Sequence, residues 1–275
     1  MSKTELDPIL TIIIPTYNSG NTLEVALKSI INQTIKDIEV LIIDGLSTDD
    51  TLKIAERYKL EFPGIKVISE KDQGIYDAMN KGIVIAKGTW LYFMGSDDSL
   101  YDSTTIEQFL NKEELKNNEV VYGNVYSTRF NGCYDGLFTY SKLKNQNICH
   151  QAIFFRKSIF SKIGRFNLKY KGHADWDHNI RWFFSSSLSN TYVNQIIANY
   201  ADGGFSSVNG DEVFIRDKNF LLLSKGIGKL PVPELLDCCN QAIIFAKQER
   251  NIFRLVVVYF LRLGLKVFQK ISLFK

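Results

Sequence analysis

The sequence predicts an α/β fold, a Rossmann-like, mostly parallel sheet flanked by helices, with a C-terminal helical appendage. Two observations carry this. Short apolar runs alternate with helical patterns four times through about the first hundred residues, joined by short links, which places helices on both faces of a parallel sheet. Each apolar run also ends in a polar cluster, and in open α/β sheets ligands sit beyond the carboxyl ends of the strands.

Leu10 to Ile14 is a β-branched run closed by Pro15 and reads as a buried strand. The loop Thr16-Tyr17-Asn18-Ser19-Gly20 leads to an amphipathic helix from about Thr22 to Asn32. Glu39 to Ile43 is a second strand ending in Asp44-Gly45-Leu46-Ser47. Thr48-Asp49-Asp50 opens a helix through about Tyr58, with acids in its first turn as the helix dipole favours. Ile65 to Ser69 is a third strand, ending in Glu70-Lys71-Asp72-Gln73-Gly74, and Tyr76 to Ala86 a helix stopped by Lys87-Gly88. Trp90 to Met94 is the fourth strand. Beyond Leu100 the alternation loosens: a helix over Thr104 to Asn111, a strand over Glu119 to Tyr126 and loop-rich sequence to about Asn147. A strand from Cys149 to Arg156 then carries His150 and Gln151 at its entrance. A short helix over Ser158 to Ile163, a helical pattern beginning near Trp176, a strand over Val193 to Tyr200 and a glycine loop at 202–207 complete this half.

The chain has 275 residues, enough for one large domain with an appendage. Its start has no apolar core and does not read as a signal peptide. Cys133, Cys149, Cys238 and Cys239 lack paired CxxC spacing, so zinc is disfavoured and free thiols in a reducing cytosol are expected. The net charge of +3 hides an asymmetry, since Arg250 to Lys275 holds six basic residues and no acid. Nucleic acid is not an expected partner, because basic residues are not interleaved through the body.

The fourth strand ends at Gly95-Ser96-Asp97-Asp98. Adjacent carboxylates repel unless a cation or donors neutralise them. Oxygen ligands of this kind suit magnesium or manganese; capping the next helix or shaping a turn is the plainer alternative. No GxGxxG turn follows the first strand and no GxxxxGK[ST] loop occurs, so diphosphate would need another partner. A metal at Asp97 and Asp98 would supply one.

Pro15-Thr16-Tyr17-Asn18, the strand ending in Asp44, the stretch from Gly74 through Asn80 to Gly82, and Ser96-Asp97-Asp98 together resemble glycosyltransferase family 2. Downstream, His150-Gln151, Ala174-Asp175-Trp176-Asp177 and Gly203-Gly204-Phe205-Ser206 resemble members that build bacterial capsule, exopolysaccharide or lipopolysaccharide. The resemblance spans about residues 9–207. It implies a GT-A domain over 1–207, with a nucleotide-sugar half at about 9–100 and an acceptor half at about 101–207, then a helical extension over 208–275. It also implies a metal-dependent, inverting hexosyltransferase that uses a nucleotide-diphosphate sugar, UDP-linked by preference, and a glycan or lipid-linked acceptor.

Carried over residue by residue, Thr16, Tyr17 and Asn18 line the base and ribose site and Asp44 accepts a hydrogen bond from the base. Asp72 and the residues beside it close over the nucleotide, and Pro15, Gly74 and Asn80 belong to the same donor side. Asp97 sits by the ribose and diphosphate, with Asp98 the more direct ligand of Mn2+ or Mg2+. Asp175 is the general base, with Asp177 and His173 behind it. His150, Gln151, Trp176, Gly203 and Gly204 fall to the acceptor or lid side, although His150 also fits a core or capping role and Trp176 and Trp182 fit the core. Two departures from the family pattern stand out: Asp44-Gly45-Leu46-Ser47 where Asp-Asp-Gly-Ser is frequent, and Gly95-Ser96-Asp97-Asp98 where Asp-x-Asp-Asp is. A sugar-phosphate nucleotidyltransferase is the rival enzyme, but Thr16 to Gly20 lacks the basic residue it needs. A nucleotide-sugar-binding protein without activity is the rival of another class.

In the tail, Arg254, Arg262, Lys266 and Lys270 form one helical stripe, with Leu255, Val256, Tyr259, Leu263 and Val267 covering much of the other side. These charges interrupt any membrane span. A basic amphipathic helix over 250–275 is expected to lie on an anionic membrane surface, which puts the protein in the cytoplasm, peripheral at the inner face of the plasma membrane. Packing on the body, or on a second subunit as a homodimer, is the alternative.

Overall fold

The computed structural model describes residues 7–127, 132–134, 136–201 and 210–272. Its strands are β1 (Leu10–Thr16), β2 (Ile38–Asp44), β3 (Ile65–Ser69), β4 (Trp90–Phe93), β5 (Ser99–Leu100), β6 (Val120–Ser127), β7 (Gly132–Tyr134), β8 (Ile153–Arg156) and β9 (Asn190–Asn199). Helices α1 (Leu23–Ile31), α2 (Thr51–Glu61) and α3 (Ile75–Ile85) alternate with the first four strands. They are followed by α4 (Thr105–Leu110), α5 (Glu114–Asn117), α6 (Tyr140–Asn145), α7 (Ile159–Ile163) and α8 (Ala174–Phe183). The C-terminal helices are α9 (Glu212–Gly226), α10 (Val232–Gln248) and α11 (Ile252–Ser272).

The sheet runs β3-β2-β1-β4-β8-β6-β9-β5, with β7 on β6. The first four strands pair in parallel, and β8 runs antiparallel to both β4 and β6. The order reverses beside β1: β2 and β3 lie on one side of it and β4 on the other. Such a switch point opens a crevice at the carboxyl ends of β1 and β4.

Period-two alternation explains why both faces are covered. Ile13, Leu41, Leu91 and Phe93 point to one core, and Leu10, Ile12, Ile14, Val40, Tyr92 and Met94 to the other. Helix α1 lays Leu23, Ala26, Leu27 and Ile30 on the second face, at the spacing of a helical stripe. The first face is deeper. It takes Met79 and Ile83 of α3, Trp182 of α8, and Phe214, Leu222, Cys238 and Ala242 of the C-terminal helices, so those helices share one continuous core with the sheet.

Several boundaries differ from expectation. Pro15, expected to close β1, lies inside it opposite Ile43. There β1 still pairs with β2, but pairing with β4 has ended at Ile13, so the missing N–H is tolerated. Asp49 and Asp50 precede α2 rather than filling its first turn, and Asp49 accepts from the Thr51 amide at 3.0 Å. His150 and Gln151 sit on a 3-10 turn (His150–Ala152) ahead of β8, not on a strand. The stretch read as loop holds the short β7 and α6, the latter capped by the Thr139 side chain accepting from the Lys142 amide.

Phe93 is fully buried among the rings of Phe155, Phe160 and Phe166, with centroids 5.2–6.0 Å away. Phe93→Ala is expected to lower the unfolding free energy by about 3–5 kcal/mol, read from denaturant melts.

Candidate active site

A cavity of about 810 Å³ opens at the carboxyl ends of β1, β3 and β4 and reaches to α8. That volume suits a ligand of nucleotide-sugar size. Its wall brings together Pro15, Thr16, Tyr17, Asn18, Asp72, Gly74, Asp97, Asp98, His150, Gln151 and Asp175, eleven of the residues named from sequence.

The loops beyond the strands are stitched to one another. The Asn18 amide donates to Ser47 Oγ at 2.8 Å, and Asn18 Oδ1 accepts from the Thr48 amide at 2.9 Å. Ser19 Oγ meets Ser96 Oγ at 2.8 Å, which joins the β1 loop to the β4 loop. Tyr17 is left out of this network and stands 66% exposed at the cavity wall.

Asp97 and Asp98 have opposite surroundings. Asp98 is buried: its Oδ1 accepts from the Ala201 amide (2.9 Å), and its Oδ2 from Gln151 Nε2 (2.7 Å) and the Gly95 amide (3.1 Å). Burial pushes its carboxyl up and the charge of Asp97 adds to this, against the pull of the Ala201 and Gln151 donors. Asp97 is exposed and has no hydrogen-bond or ion partner among the described residues. Asp98, expected as the more direct metal ligand, lines the cavity with its oxygens taken by these three donors, and the open carboxylate is Asp97. Gly95 makes the fold-back possible, since a Cβ there would lie 2.5 Å from Asp98 Oδ2 and 2.7 Å from Asp97 Oδ1. The glycine that departs from the family pattern is the one this turn requires.

Asp44 does not reach the cavity. It is fully buried, and its oxygens accept from Thr16 Oγ1 (3.1 Å), from the Ser47 amide (3.0 Å) and hydroxyl, and from Ser69 Oγ (2.7 Å). Burial would raise its carboxyl, but these hydrogen bonds outweigh it and hold the group below the ordinary carboxylate range. A contact from Asp44 to a base is not available in this arrangement. Asp72 is, half-buried at the wall, with Oδ1 accepting from the Gly74 amide at 2.9 Å. Its Oδ2 lies 2.5 Å from where a Gly45 Cβ would be, so a side chain at 45 would displace it.

Asn80 is also off the cavity, because its amide bonds both backbone groups of Phe166 (2.9 and 3.0 Å). Trp176 does not line it either; its Nε1 donates to the Leu143 carbonyl at 2.9 Å and its ring packs near Phe214. Asp177 is tied to Arg181 Nε at 2.8 Å, and His173 stacks on Phe214. Gly203 and Gly204 lie outside the described residues.

Asp175 lies near the N-terminus of α8, one residue inside the helix, with His173 at the N-cap position. Its Oδ1 accepts from the Tyr76 hydroxyl (2.8 Å) and the Trp176 amide (2.9 Å), and its Oδ2 from Asn147 Nδ2 (2.8 Å). His150 Nδ1 stands 3.6 Å from the same Oδ2, and His150 Nε2 has no hydrogen-bond partner among the described residues. Burial works against the Asp175 charge, but His150 and Tyr76 outweigh it and hold the carboxyl below its usual range.

Sequence reasoning missed Tyr76 and Asn147. Tyr76 lay within a quoted motif and was read only as helix. Lys71, the cavity's lysine, is one of the residues beside Asp72 expected to close over the nucleotide. Four carboxylates of the wall (Asp72, Asp97, Asp98, Asp175) face one lysine, a balance that favours a cation. Among the described residues no group of three or more His, Cys, Asp or Glu could enclose a metal. The donor set thus fits a hard cation completed by phosphate and water, not a cage of side chains.

The sequence model described as Glycosyl transferase family 2 matches residues 11–180. The PGL/p-HBAD biosynthesis glycosyltransferase of Mycobacterium tuberculosis is 41% identical over 215 residues, 76% of this chain and 83% of that protein. The chondroitin synthase of Escherichia coli is 30% identical over 180 residues, 62% of this chain and 26% of that longer protein. Among solved structures, S. aureus TarS 1-349 in complex with UDP-GlcNAc matches with a TM-score of 0.65 at 17% identity, over 86% of this chain and 71% of that one. Mannosyltransferase PcManGT from Pyrobaculum calidifontis, in complex with GDP-Man and Mn2+, gives 0.57 at 15% identity, over 94% and 88%. The fold is GT-A.

Because the Asp44 carboxyl is held below its unfolded value, the stability it contributes is present above the ordinary carboxylate range and is lost as the pH falls through its depressed value. Asp44→Asn is expected to cost about 1.5–3 kcal/mol at neutral pH, and melts repeated in acid should show the gap to wild type closing.

Proposed function

The chain belongs to glycosyltransferase family 2, and from that membership we propose that it is an inverting enzyme. It moves a sugar from a nucleotide-diphosphate donor, UDP-linked by preference, to a hydroxyl of a glycan or lipid-linked acceptor in capsule, exopolysaccharide or lipopolysaccharide assembly. It acts in the cytoplasm, peripheral at the inner face of the plasma membrane. The observation that carries the reading is the meeting of Asp72, Asp97 and Asp175 around one cavity at the switch point of the sheet.

In this reading Tyr17 offers the base an aromatic face and Asp72 an acceptor, while Lys71 faces the diphosphate. Asp97 would hold Mn2+ or Mg2+ with the phosphate oxygens, and the bound cation would offset charge on the departing diphosphate. The acceptor hydroxyl attacks the anomeric carbon from the side opposite the leaving group. As the new C–O bond forms, the bond to the diphosphate oxygen breaks and configuration inverts. Asp175 takes the hydroxyl proton; Tyr76 and Asn147 fix its orientation.

One observation favours a second route for the proton. His150 presents Nδ1 to Asp175 and its Nε2 has no partner among the described residues, so Asp175 can orient the ring while Nε2 accepts. The pH profile tests the Asp175 route: its proton puts the acidic limb of kcat below the ordinary carboxylate range, and a limb above that range excludes it.

Three outcomes are expected. A nucleoside diphosphate with manganese, at a hundred times its Kd, raises the melting temperature by roughly 5 °C or more. Asp97→Ala loses the manganese-dependent part of that rise. Asp175→Asn lowers kcat by roughly a hundredfold or more with the rise intact. If none of the nucleoside diphosphates shifts the melt, the donor site is misassigned; if Asp175→Asn transfers sugar at the wild-type rate, the base is.

A further inference from the structure

We infer that α11 docks on an anionic lipid bilayer through an apolar ridge turned away from the rest of the protein. The inference rests on the peripheral placement proposed above and names the surface responsible. At 21 residues α11 is about 31 Å long. One side is already occupied. Val258 and Leu265 are buried, Leu255 and Leu261 pack on the core, and Arg254 Nη1 pairs with Asp217 (3.3 Å) and Glu249 (3.4 Å). The basic stripe read from sequence is therefore divided: Arg254 faces inward, while Lys266 and Lys270 stay exposed.

The opposite side is apolar and open. Phe253, Val256, Phe260, Leu263, Val267 and Ile271 recur at intervals of three and four and are 47–78% exposed. A continuous outward stripe of this kind marks an interaction surface, because scattered exposed apolar residues do not align. Its charge selects the occupant. Exposed Lys266 and Lys270 border the ridge, exposed Arg250 precedes it, and no acid occurs from Arg250 to Lys275. A second copy facing the same ridge would bring borders of one sign together. An anionic headgroup layer complements them while its acyl region takes the apolar side chains. No helix of the described residues is long and apolar enough to cross a membrane, so α11 lies in the interface plane.

The test is flotation of the full chain with vesicles of phosphatidylcholine, with and without phosphatidylglycerol. Flotation only with phosphatidylglycerol is expected, weakened by salt and by about fivefold for each of Lys266→Gln and Lys270→Gln. The double variant Phe253→Ser, Phe260→Ser should not float. Because both side chains are exposed, its melting temperature and the rise with nucleoside diphosphate should match wild type, which excludes misfolding. Absence of flotation, equal binding to pure phosphatidylcholine, or a dimer in sedimentation that the double variant dissolves would each overturn the inference. Flotation without any nucleotide-induced stabilisation upholds the docking face and removes the transferase reading instead.

Discussion

The site depends on one buried carboxylate. Asp98 closes the turn after β4 on the Gly95 amide and, from its other positions, takes donors from Gln151 and Ala201. Those donors come from the 3-10 turn ahead of β8 and from the segment after β9, so a single side chain joins the nucleotide half of the sheet to the acceptor half. A buried charge is tolerated only when hydrogen bonds replace its water, and three do so here. The neighbouring Asp97 is then forced outward, since two adjacent carboxylates cannot share one set of donors.

The same rule sorts the other acids. Asp44 and Asp98 have full donor sets and hold loops together, whereas Asp97 and Asp72 keep open oxygens toward the cavity. Asp175, like Asp98, lines the wall and has three donors, here Tyr76, Trp176 and Asn147. Those donors orient it, and His150 and Tyr76 hold its carboxyl below the usual range against burial. Glycine at 45 and 95 belongs to the same design, because in both places a carboxylate oxygen occupies the space a Cβ would need.

Alternation of short apolar runs with helical patterns was legible because β-sheet burial has a period of two and helix burial one near 3.6, and the first hundred residues obey both. The parallel order and the polar strand ends at Thr16, Tyr17, Asp72 and Asp97 followed from that regularity, whereas Asp175 came only with the family resemblance. The family resemblance rested on the same residues and agrees with the match over 11–180. Less was legible in the acceptor half, where β7 and α6 are too short to show a period.

Residue types and their order along the chain determined the fold class, the rim where the site lies, and a tail too charged to cross a bilayer. Which acid does what was decided only by the tertiary structure. Asp44 and Asp98 look as available in sequence as Asp72 and Asp97, but a carboxylate's role depends on the donors that surround it, and those come from residues up to 103 positions away. The division of the tail's face arose in the same way. Periodicity made α11 amphipathic, but only packing against α10 and the core chose which side met protein and which was left to solvent.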